Sequence, residues 1–303
     1  PVYSLYRKDS QHMTPEMLDL VDTVIYDIQD IGARFYTYIS TLLYVMRDCA
    51  AAGKELVVLD RINPLGGKIE GGMLQPGFES FVGVYPLTTR YGLTPGEFAR
   101  LANEEQHIGC TLHVLPVQGW RRKMLFPETG LTWMMPSPAI PHFETALLYP
   151  GVCLAEATNL SEGRGTSAPF ELIGAPFING AALTTRMNAL KLPGVAFTAA
   201  YFTPSASKHA NQRCEGVHIH LTDTKAFDTI RTGTALLYAI REMYPAAFAL
   251  RQPENEHALL PINRLTGSDV LAGEWPDFDA LMTRWERESA AFKARAAKAY
   301  LYE

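Results

Sequence analysis

The alternation of apolar and polar positions in the first half of the chain has the pattern of a βαβ unit. An apolar run at about 23–28 predicts a buried strand, and residues 38–52 are rich in helix formers and end at Gly53, a natural helix C-cap. A second apolar run at about 55–60 predicts the next strand. Because a helix joins them, we expect these strands to be parallel, with their carboxyl ends at one edge of a sheet.

The pattern predicts further elements on both sides of a proline-rich middle. The sequence of residues 94–97, Thr-Pro-Gly-Glu, predicts a capped helix start, and the long connection 61–93 predicts a hairpin or a functional loop. Prolines are dense from 118 to 150, where we expect little regular structure and the domain junction. Later strands are expected at 110–115, 152–157, 195–202 and 216–222, and later helices at 225–243 and 276–299.

These elements predict an α/β protein of two domains. We expect a parallel-sheet domain over residues 1–135 and a smaller α/β domain over 136–303. The apolar content of 47%, the charged content of 19% and the net charge of −5 are typical of a globular protein, and the lack of a basic run argues against nucleic-acid binding. No apolar segment is long enough for a membrane span. The four cysteines form no CxxC pair and are expected to be buried free thiols.

Polar residues follow the first two predicted strands at their carboxyl ends. Asp27, Asp30 and Arg34 follow the first strand, and Arg61 and Asn63 follow the second. Neighbouring parallel strands bring such residues to one crevice, where ligands bind in open α/β sheets. Two carboxylates can divide general-acid work from base or nucleophile work. The alternative is that one aspartate caps the following helix and the other pairs with Arg34.

A second polar loop follows the strand expected at 152–157. It carries Asn159, Glu162 and Arg164 with glycines beside the arginine, and Glu156 is expected inside the strand itself. A carboxylate there must pair with an arginine or take up a proton, and either outcome makes it a candidate. Arginines such as Arg34, Arg61 and Arg164 bind carboxylate or phosphate groups through paired hydrogen bonds. The alternative for each is an ordinary ion pair.

Four other residues have both a functional and a structural interpretation. Tyr36 and Tyr38 can stack on sugar rings, although single aromatic residues usually belong to the core. His218 and His220 lie two apart on a predicted strand and therefore face the same side. They could hold a metal, but no third ligand lies at a telling distance, so we predict a structural pair and no metal site.

Several motifs of this chain, taken together, resemble those of a known family. The motifs are, in chain order, PVYSLY at 1–6, DIQDIGARFYTY at 27–38, DRINP at 60–64, PSP at 136–138, TNLSEGRGT at 158–166, PF at 169–170 and GAPF at 174–177. They resemble the NamZ-type exo-β-N-acetylmuramidases, glycoside hydrolase family 171. The resemblance implies a Rossmann-like domain followed by a smaller α/β domain.

The resemblance also implies an activity. It implies a hydrolase that releases N-acetylmuramic acid from the non-reducing ends of peptidoglycan fragments, without a cofactor, in a periplasmic or secreted location. The lactyl carboxylate of that sugar suits an arginine partner. The expected catalytic candidates are Asp27, Asp30, Glu156 and Glu162, and the expected substrate contacts are Arg34, Tyr36, Tyr38, Arg61, Asn63, Asn159 and Arg164.

The chain departs from the family pattern in two ways. Ile62, Tyr91 and Ala139 stand where the family usually has proline, histidine and asparagine, and the loss of polar groups at the last two positions implies altered specificity or weaker activity. Family members also carry an N-terminal segment with a Pro-Glu-His-Gly motif whose glutamate is a favoured catalytic candidate. This chain has no such motif, so we expect it to be truncated at its N-terminus or to have an incomplete site.

Two other functions remain open on the sequence. A non-catalytic two-lobed protein could bind the same muropeptides or sugars without turnover. A metal-dependent hydrolase could use His218 and His220, and a chelator would then abolish its activity.

Overall fold

The computed structural model describes residues 1–7 and 10–303 and divides into two compact units. Pro1–Leu131 and Arg287–Glu303 form the first unit, and Thr132–Glu286 forms the second. We expected the second domain to run from residue 136 to residue 303, whereas residues 287–303 fold with the first unit. The reason is burial: Phe292 and Ala296 belong to the core of the first unit, and the Ser289 hydroxyl donates to the Gly71 carbonyl at 3.0 Å.

The first unit contains a parallel sheet, a hairpin and three helices before its C-terminal part. The elements are α1 (Pro15–Leu18), β1 (Thr23–Tyr26), α2 (Tyr38–Ala52), β2 (Glu55–Leu59), β3 (Glu70–Met73), β4 (Thr88–Arg90), α3 (Pro95–Glu105) and β5 (Thr111–Leu115), followed by a 3-10 turn at Phe126–Thr129. β1, β2 and β5 lie in that order and are all parallel. The predicted βαβ unit and parallel sheet are therefore confirmed.

Alternating burial explains how this sheet is held. Leu56 and Val58 of β2 are fully buried in a core shared with the apolar face of α2 and with α3, whereas Val57 between them is partly exposed. α2 ends at Gly53 with φ of 64°, as expected for a glycine C-cap. α3 begins with the predicted capping box, in which the Thr94 hydroxyl accepts from the Glu97 amide and the Glu97 carboxylate accepts from the Thr94 amide. Local sequence signals thus define where α2 ends and where α3 begins.

The long connection between β2 and α3 is a hairpin. β3 and β4 pair antiparallel, with Glu70 opposite Arg90. The side chains of this pair also form a buried ion pair at 2.6 Å between Arg90 Nη1 and Glu70 Oε2. The predicted hairpin is confirmed, and Gly71 and Gly72 lie within its first strand.

The second unit has an antiparallel sheet and a mainly helical layer. Its elements are α4 (Phe143–Val152), a 3-10 turn (Cys153–Ala157), β6 (Leu172–Ala175), α5 (Gly180–Ala189), β7 (Val195–Phe202), β8 (Cys214–Leu221), α6 (Thr229–Met243) and α7 (Pro261–Thr266). The last helix, α8 (Phe278–Ala296), contains residue 287, where the chain passes from the second unit to the first, and a 3-10 turn at Ala297–Ala299 follows it. The sheet order is β6-β8-β7, with both pairings antiparallel.

The predictions of a strand at 152–157 and of little regular structure before it are both wrong. Residues 143–157 form α4 and the 3-10 turn, with Pro150 inside the helix. Nearly every residue of α4 is buried, so the helix shows no polar stripe, and a short apolar run of this kind cannot be told from a buried strand by periodicity. α4 packs closely on α6: a Cβ at Gly151 would lie 1.8 Å from the Thr229 carbonyl oxygen.

Two compositional expectations can be compared with the structure. All four cysteines are buried free thiols, as predicted. Among the described residues, no helix combines the length and the apolar character that crossing a bilayer requires.

Candidate functional site

The carboxyl ends of β1 and β2 meet in the first unit, as their parallel pairing predicts. Arg61 Nε lies 2.7 Å from Asp27 Oδ1, and about half of each side chain is exposed. Asp60, beside Arg61, is buried and accepts from the Thr94 hydroxyl at 2.7 Å, the Gly96 amide at 2.7 Å and the Tyr302 hydroxyl at 2.5 Å. The exposed pair is therefore available to a ligand, whereas Asp60 holds the start of α3.

Asp30 is a buried carboxyl group with one oxygen bonded and one not. Its Oδ1 accepts from the Tyr91 hydroxyl and from the Gly32 amide at 3.2 Å, whereas Oδ2 has no hydrogen-bond partner among the described residues. Burial raises the pKa of Asp30 to about 7, against the lowering effect of the Tyr91 hydroxyl. Tyr91 thus supplies a hydrogen-bond donor to this carboxylate.

Two of the expected substrate contacts bond mainly to backbone. Arg34 is 1% exposed, and its Nη1 donates to the carbonyls of Gly72 and Leu87 at 2.8 and 2.7 Å. Burial lowers the pKa of Arg34 to about 10. Asn63 is also buried, and its amide donates to the Leu93 carbonyl at 2.9 Å. These contacts favour a structural role for both residues.

Tyr36 and Tyr38 are partly exposed. Their rings pack edge to face with centroids 5.0 Å apart. The Tyr38 carbonyl accepts from the Tyr26 hydroxyl at 3.1 Å, which ties this segment to β1. Burial raises the pKa of Tyr38, and the nearby Asp30 charge adds to that effect. The two rings form an aromatic surface suited to a sugar face.

In the second unit four charged side chains form a continuous chain of ion pairs. Arg164 donates from Nε and Nη2 to Glu156 Oε1 at 3.0 and 2.7 Å, and its Nε lies 3.5 Å from Glu162 Oε1. Lys208 Nζ lies 2.9 Å from Glu162 Oε2 and donates to the Ala155 and Thr158 carbonyls. Burial lowers the pKa of Lys208. The sequence did not reveal Lys208, because it lies in the β7–β8 connection, where no motif marks it.

Glu156 forms an ion pair, and Asn159 bonds to backbone groups. Glu156 lies on the 3-10 turn and not on a strand, and the expected pairing with an arginine is confirmed in its contact with Arg164. Asn159 donates to the Ala247 carbonyl at 2.8 Å and accepts from the Ala249 amide at 3.0 Å. Its side chain therefore fastens the loop, which favours a structural role.

A surface pocket lies beside the Arg164 ion pairs. One wall is formed by Ser137, Pro138 and Ala139, and the other by Arg164, Gly165, Thr166 and Pro169. Arg164 uses Nε and Nη2 for its glutamate partners, and its Nη1 donates no hydrogen bond within the described part of the chain. The pocket thus combines a guanidinium edge with hydroxyl groups and apolar walls, a combination that can bind a carboxylate carried on a small apolar group.

His218 and His220 face the same side of β8, as predicted. Their ring centroids lie 4.2 Å apart, His220 Nε2 is 2.8 Å from the Thr198 hydroxyl, and His218 Nε2 is 3.6 Å from Glu171 Oε2. Burial lowers the pKa of His220, with a further contribution from His218. Across residues 1–7 and 10–303, no group of three or more His, Cys, Asp or Glu side chains is arranged to hold a metal ion. Glu171, like Lys208, was not identified from the sequence.

Comparisons with known proteins agree with these motifs. The family model "Exo-beta-N-acetylmuramidase NamZ, N-terminal" matches residues 1–144, and the corresponding C-terminal model matches residues 147–302. The peptidoglycan β-N-acetylmuramidase NamZ of Bacillus subtilis (strain 168) is 49% identical over 249 residues, which are 82% of this chain. The chain spans 60% of the length of that relative.

Two solved structures share the fold. A DUF1343 family protein from Bacteroides fragilis NCTC 9343 superposes on all of this chain with a TM-score of 0.92 at 35% identity, and the match covers 80% of that protein. A second DUF1343 family protein from the same strain covers 96% of this chain with a TM-score of 0.73 at 26% identity, over 78% of its own length. Because both family models match in order and together cover nearly every residue, the chain belongs to the exo-β-N-acetylmuramidase NamZ family.

Proposed function

We propose that this chain carries the glycosidase activity of its family and releases N-acetylmuramic acid from the non-reducing ends of peptidoglycan fragments. The main support is the 49% identity to the Bacillus subtilis peptidoglycan β-N-acetylmuramidase. The observation that carries the proposal at the level of residues is the pocket at Arg164, because its chemistry suits the group that distinguishes muramic acid from glucosamine.

That group is a lactyl ether, which carries a carboxylate and a methyl group. In the proposed complex, Arg164 Nη1 donates to the lactyl carboxylate, while Glu156 and Glu162 hold the guanidinium in place from its other edge. Pro138 and Pro169 offer apolar surface to the methyl group. N-acetylglucosamine lacks the lactyl group and would gain neither contact.

Each unit carries carboxyl groups that are candidates for a role in glycoside hydrolysis. In the first unit, Asp30 has a pKa of about 7, which suits a general acid at neutral pH, and Asp27 is the second candidate. In the second unit, Glu156 is paired with a cation and is partly exposed, and Glu162 is the second candidate. In the first unit, the partly exposed side chains of Tyr36, Tyr38 and Arg61 are the candidates for sugar contact.

The test of binding uses the Arg164→Lys variant of the full chain. Lysine keeps the positive charge for Glu156 and Glu162 but lacks the forked donors, so we expect about tenfold weaker calorimetric binding of N-acetylmuramic acid with an unchanged melting temperature. Binding of N-acetylglucosamine should not change. The matched control is Arg186→Lys, because Arg186 on α5 is similarly exposed and pairs with Glu242 on α6 at 2.9 Å. Equal losses for both sugars would contradict the assignment of Arg164.

The test of activity is release of N-acetylmuramic acid from a muramyl-terminated disaccharide analogue. We expect release by the folded protein and weaker release by the Arg164→Lys variant. Tight binding of N-acetylmuramic acid without any release would instead support a binding protein without turnover. No binding and no release would refute the proposal for this chain.

A further inference from the structure

We propose that Phe170 is a positioning residue for Arg164: its ring supports one face of the guanidinium and keeps the Nη1 edge available to the carboxylate of the sugar. This inference rests on the proposed function, because the ligand used to detect it is N-acetylmuramic acid. It concerns the affinity of the pocket and not the bond-breaking step. It also assigns a role to the second residue of the PF motif at 169–170.

The carboxylate contacts of Arg164 do not by themselves fix the orientation of its guanidinium. Nε and Nη2 both donate to one oxygen atom, Glu156 Oε1, at 3.0 and 2.7 Å. The other carboxylate is farther away, with Glu162 Oε1 at 3.5 Å from Nε. A guanidinium that binds both oxygens of a carboxylate is fixed as a fork, whereas one that binds a single oxygen can pivot about it. A contact on the face of the guanidinium is therefore needed to define its plane.

The ring of Phe170 supplies that contact. Arg164 Cζ lies over the ring, 5.0 Å from its centroid, which is within the range of cation–π attraction. The ring is itself held in place, because Phe170 is fully buried and the Tyr149 ring of α4 packs on it edge to face with centroids 4.8 Å apart. A buried ring with a fixed plane thus restricts the tilt of the guanidinium above it.

The backbone at Phe170 is strained for an aromatic residue. Its φ of 61° lies in the left-handed region, where a side chain crowds its own backbone. The Phe170 amide donates to the Glu162 carbonyl at 2.6 Å, which closes the turn that carries Arg164. Gly163 and Gly165 of the same turn have φ of 78° and 80°, as glycine allows. A glycine at residue 170 would relieve the strain but would remove the ring, so the position favours a role for the ring.

A second segment with the same kind of strain meets this chain of ion pairs from the β7–β8 connection. Ser207, His209 and Asn211 have φ of 68°, 57° and 61°. Between them lies Lys208, whose Nζ is 2.9 Å from Glu162 Oε2. Four of the six non-glycine residues with positive φ in the described part of the chain therefore lie on the two segments that form these ion pairs. Backbone strain of this kind collects at binding and catalytic sites, where the surrounding structure enforces it.

The experiment is calorimetric titration of the full chain with N-acetylmuramic acid, with the melting temperature measured for every variant. Phe170→Leu keeps much of the apolar volume but removes the ring. Because the guanidinium must then be ordered on binding, we expect about threefold weaker affinity, the effect of one cation–π contact. Phe170→Tyr keeps a ring, so its affinity should match the wild type even where the buried hydroxyl lowers its melting temperature. A role in folding alone would not separate affinity from stability in this way.

The matched control is Phe197→Leu. Phe197 lies on β7 of the same unit and is 3% exposed, and among the described residues no arginine is placed over its ring. The control should lower the melting temperature about as much as Phe170→Leu and leave the affinity unchanged. Should Phe170→Leu not fold, Phe170→Met takes its place, because methionine also fills apolar space without a ring.

Each result separates the inference from the proposed function. A Phe170→Leu variant that binds as tightly as the wild type would overturn the role of the ring and leave the proposed function standing. The same conclusion would follow if a folded Phe170→Tyr bound as weakly as Phe170→Leu, or if Phe197→Leu lost as much affinity. Should Phe170→Tyr not fold, the comparison of Phe170→Leu with Phe197→Leu decides. A wild type that binds no sugar would overturn the proposed function and this inference with it.

Discussion

Replacing Asp30 with asparagine should make the protein more stable at alkaline pH. Burial raises the pKa of Asp30 from 3.8 to about 7, so the folded protein binds this proton more tightly than the unfolded chain does. A raised acid pKa means that the stabilising contribution is present at pH below 4 and is lost as the pH rises to about 7. Above pH 7 the folded protein carries a buried, ionised carboxylate, and the loss is complete.

The size of the effect follows from the two pKa values. The interval between 3.8 and about 7 corresponds to about 4 kcal/mol, of which about 3 kcal/mol falls between pH 4.5 and pH 8.5. Asparagine is always neutral and has nearly the same shape, and its oxygen can still accept from Tyr91 and Gly32. The variant should therefore match the wild type near pH 4 and exceed its free energy of unfolding at pH 8.5.

The assay is urea unfolding of the wild type and Asp30→Asn at pH 4.5 and pH 8.5. Taking the difference between the two proteins at each pH cancels every other titrating group. Asp27→Asn is the matched control for the substitution itself, because Asp27 lies three residues away and is about half exposed. A stability difference for Asp30→Asn that is the same at both pH values would refute the reasoning, as would a variant that loses stability relative to the wild type on going to pH 8.5.

Three further predictions concern a glycine, a buried glutamate and metal ions. Gly32 and Gly53 have φ of 83° and 64°, but only at Gly32 would an added Cβ meet a neighbour, at 2.4 Å from Asn63 Oδ1. In thermal unfolding, we therefore expect Gly53→Ala to lose about 1 kcal/mol of stability and Gly32→Ala to lose clearly more. Equal losses for the two variants would contradict this steric argument. Glu97 is fully buried and pairs with an arginine, so Glu97→Gln should cost about 3 kcal/mol in urea unfolding, against less than about 1 kcal/mol for the exposed Glu104→Gln. A comparable loss for both glutamates would show that burial does not decide the cost. A chelator should leave sugar release unchanged, since no described group of side chains is arranged to hold a metal, and loss of activity would favour metal chemistry.

The sequence was most informative where local signals and topology agree. The glycine at residue 53 and the capping box at 94–97 define helix ends by short-range hydrogen bonds, which a single sequence displays directly. The approach of Asp27 to Arg61 was also predictable, because a right-handed parallel crossover brings the ends of β1 and β2 together. The sequence failed at α4, where burial on all sides removes the polar stripe that identifies a helix.

In the candidate site, the sequence likewise indicated some residues and not others. The motif containing Arg164 could be selected from its composition, and its pairing with Glu156 is close in sequence. Lys208 and Glu171 could not be selected, because each becomes significant only through residues distant in the chain. Likewise, nothing in the pattern around Arg34 indicates that its guanidinium is buried against hairpin carbonyls.

The sequence by itself determined the βαβ start of the chain, the helix caps and the family, because these depend on short-range periodicity, local hydrogen bonds and motifs. Only the tertiary structure decided which charged groups are buried, which are paired and which remain free to meet a ligand. The physical reason is that the pKa of Asp30 and the free edge of Arg164 are set by solvent exclusion and by partners brought together through folding.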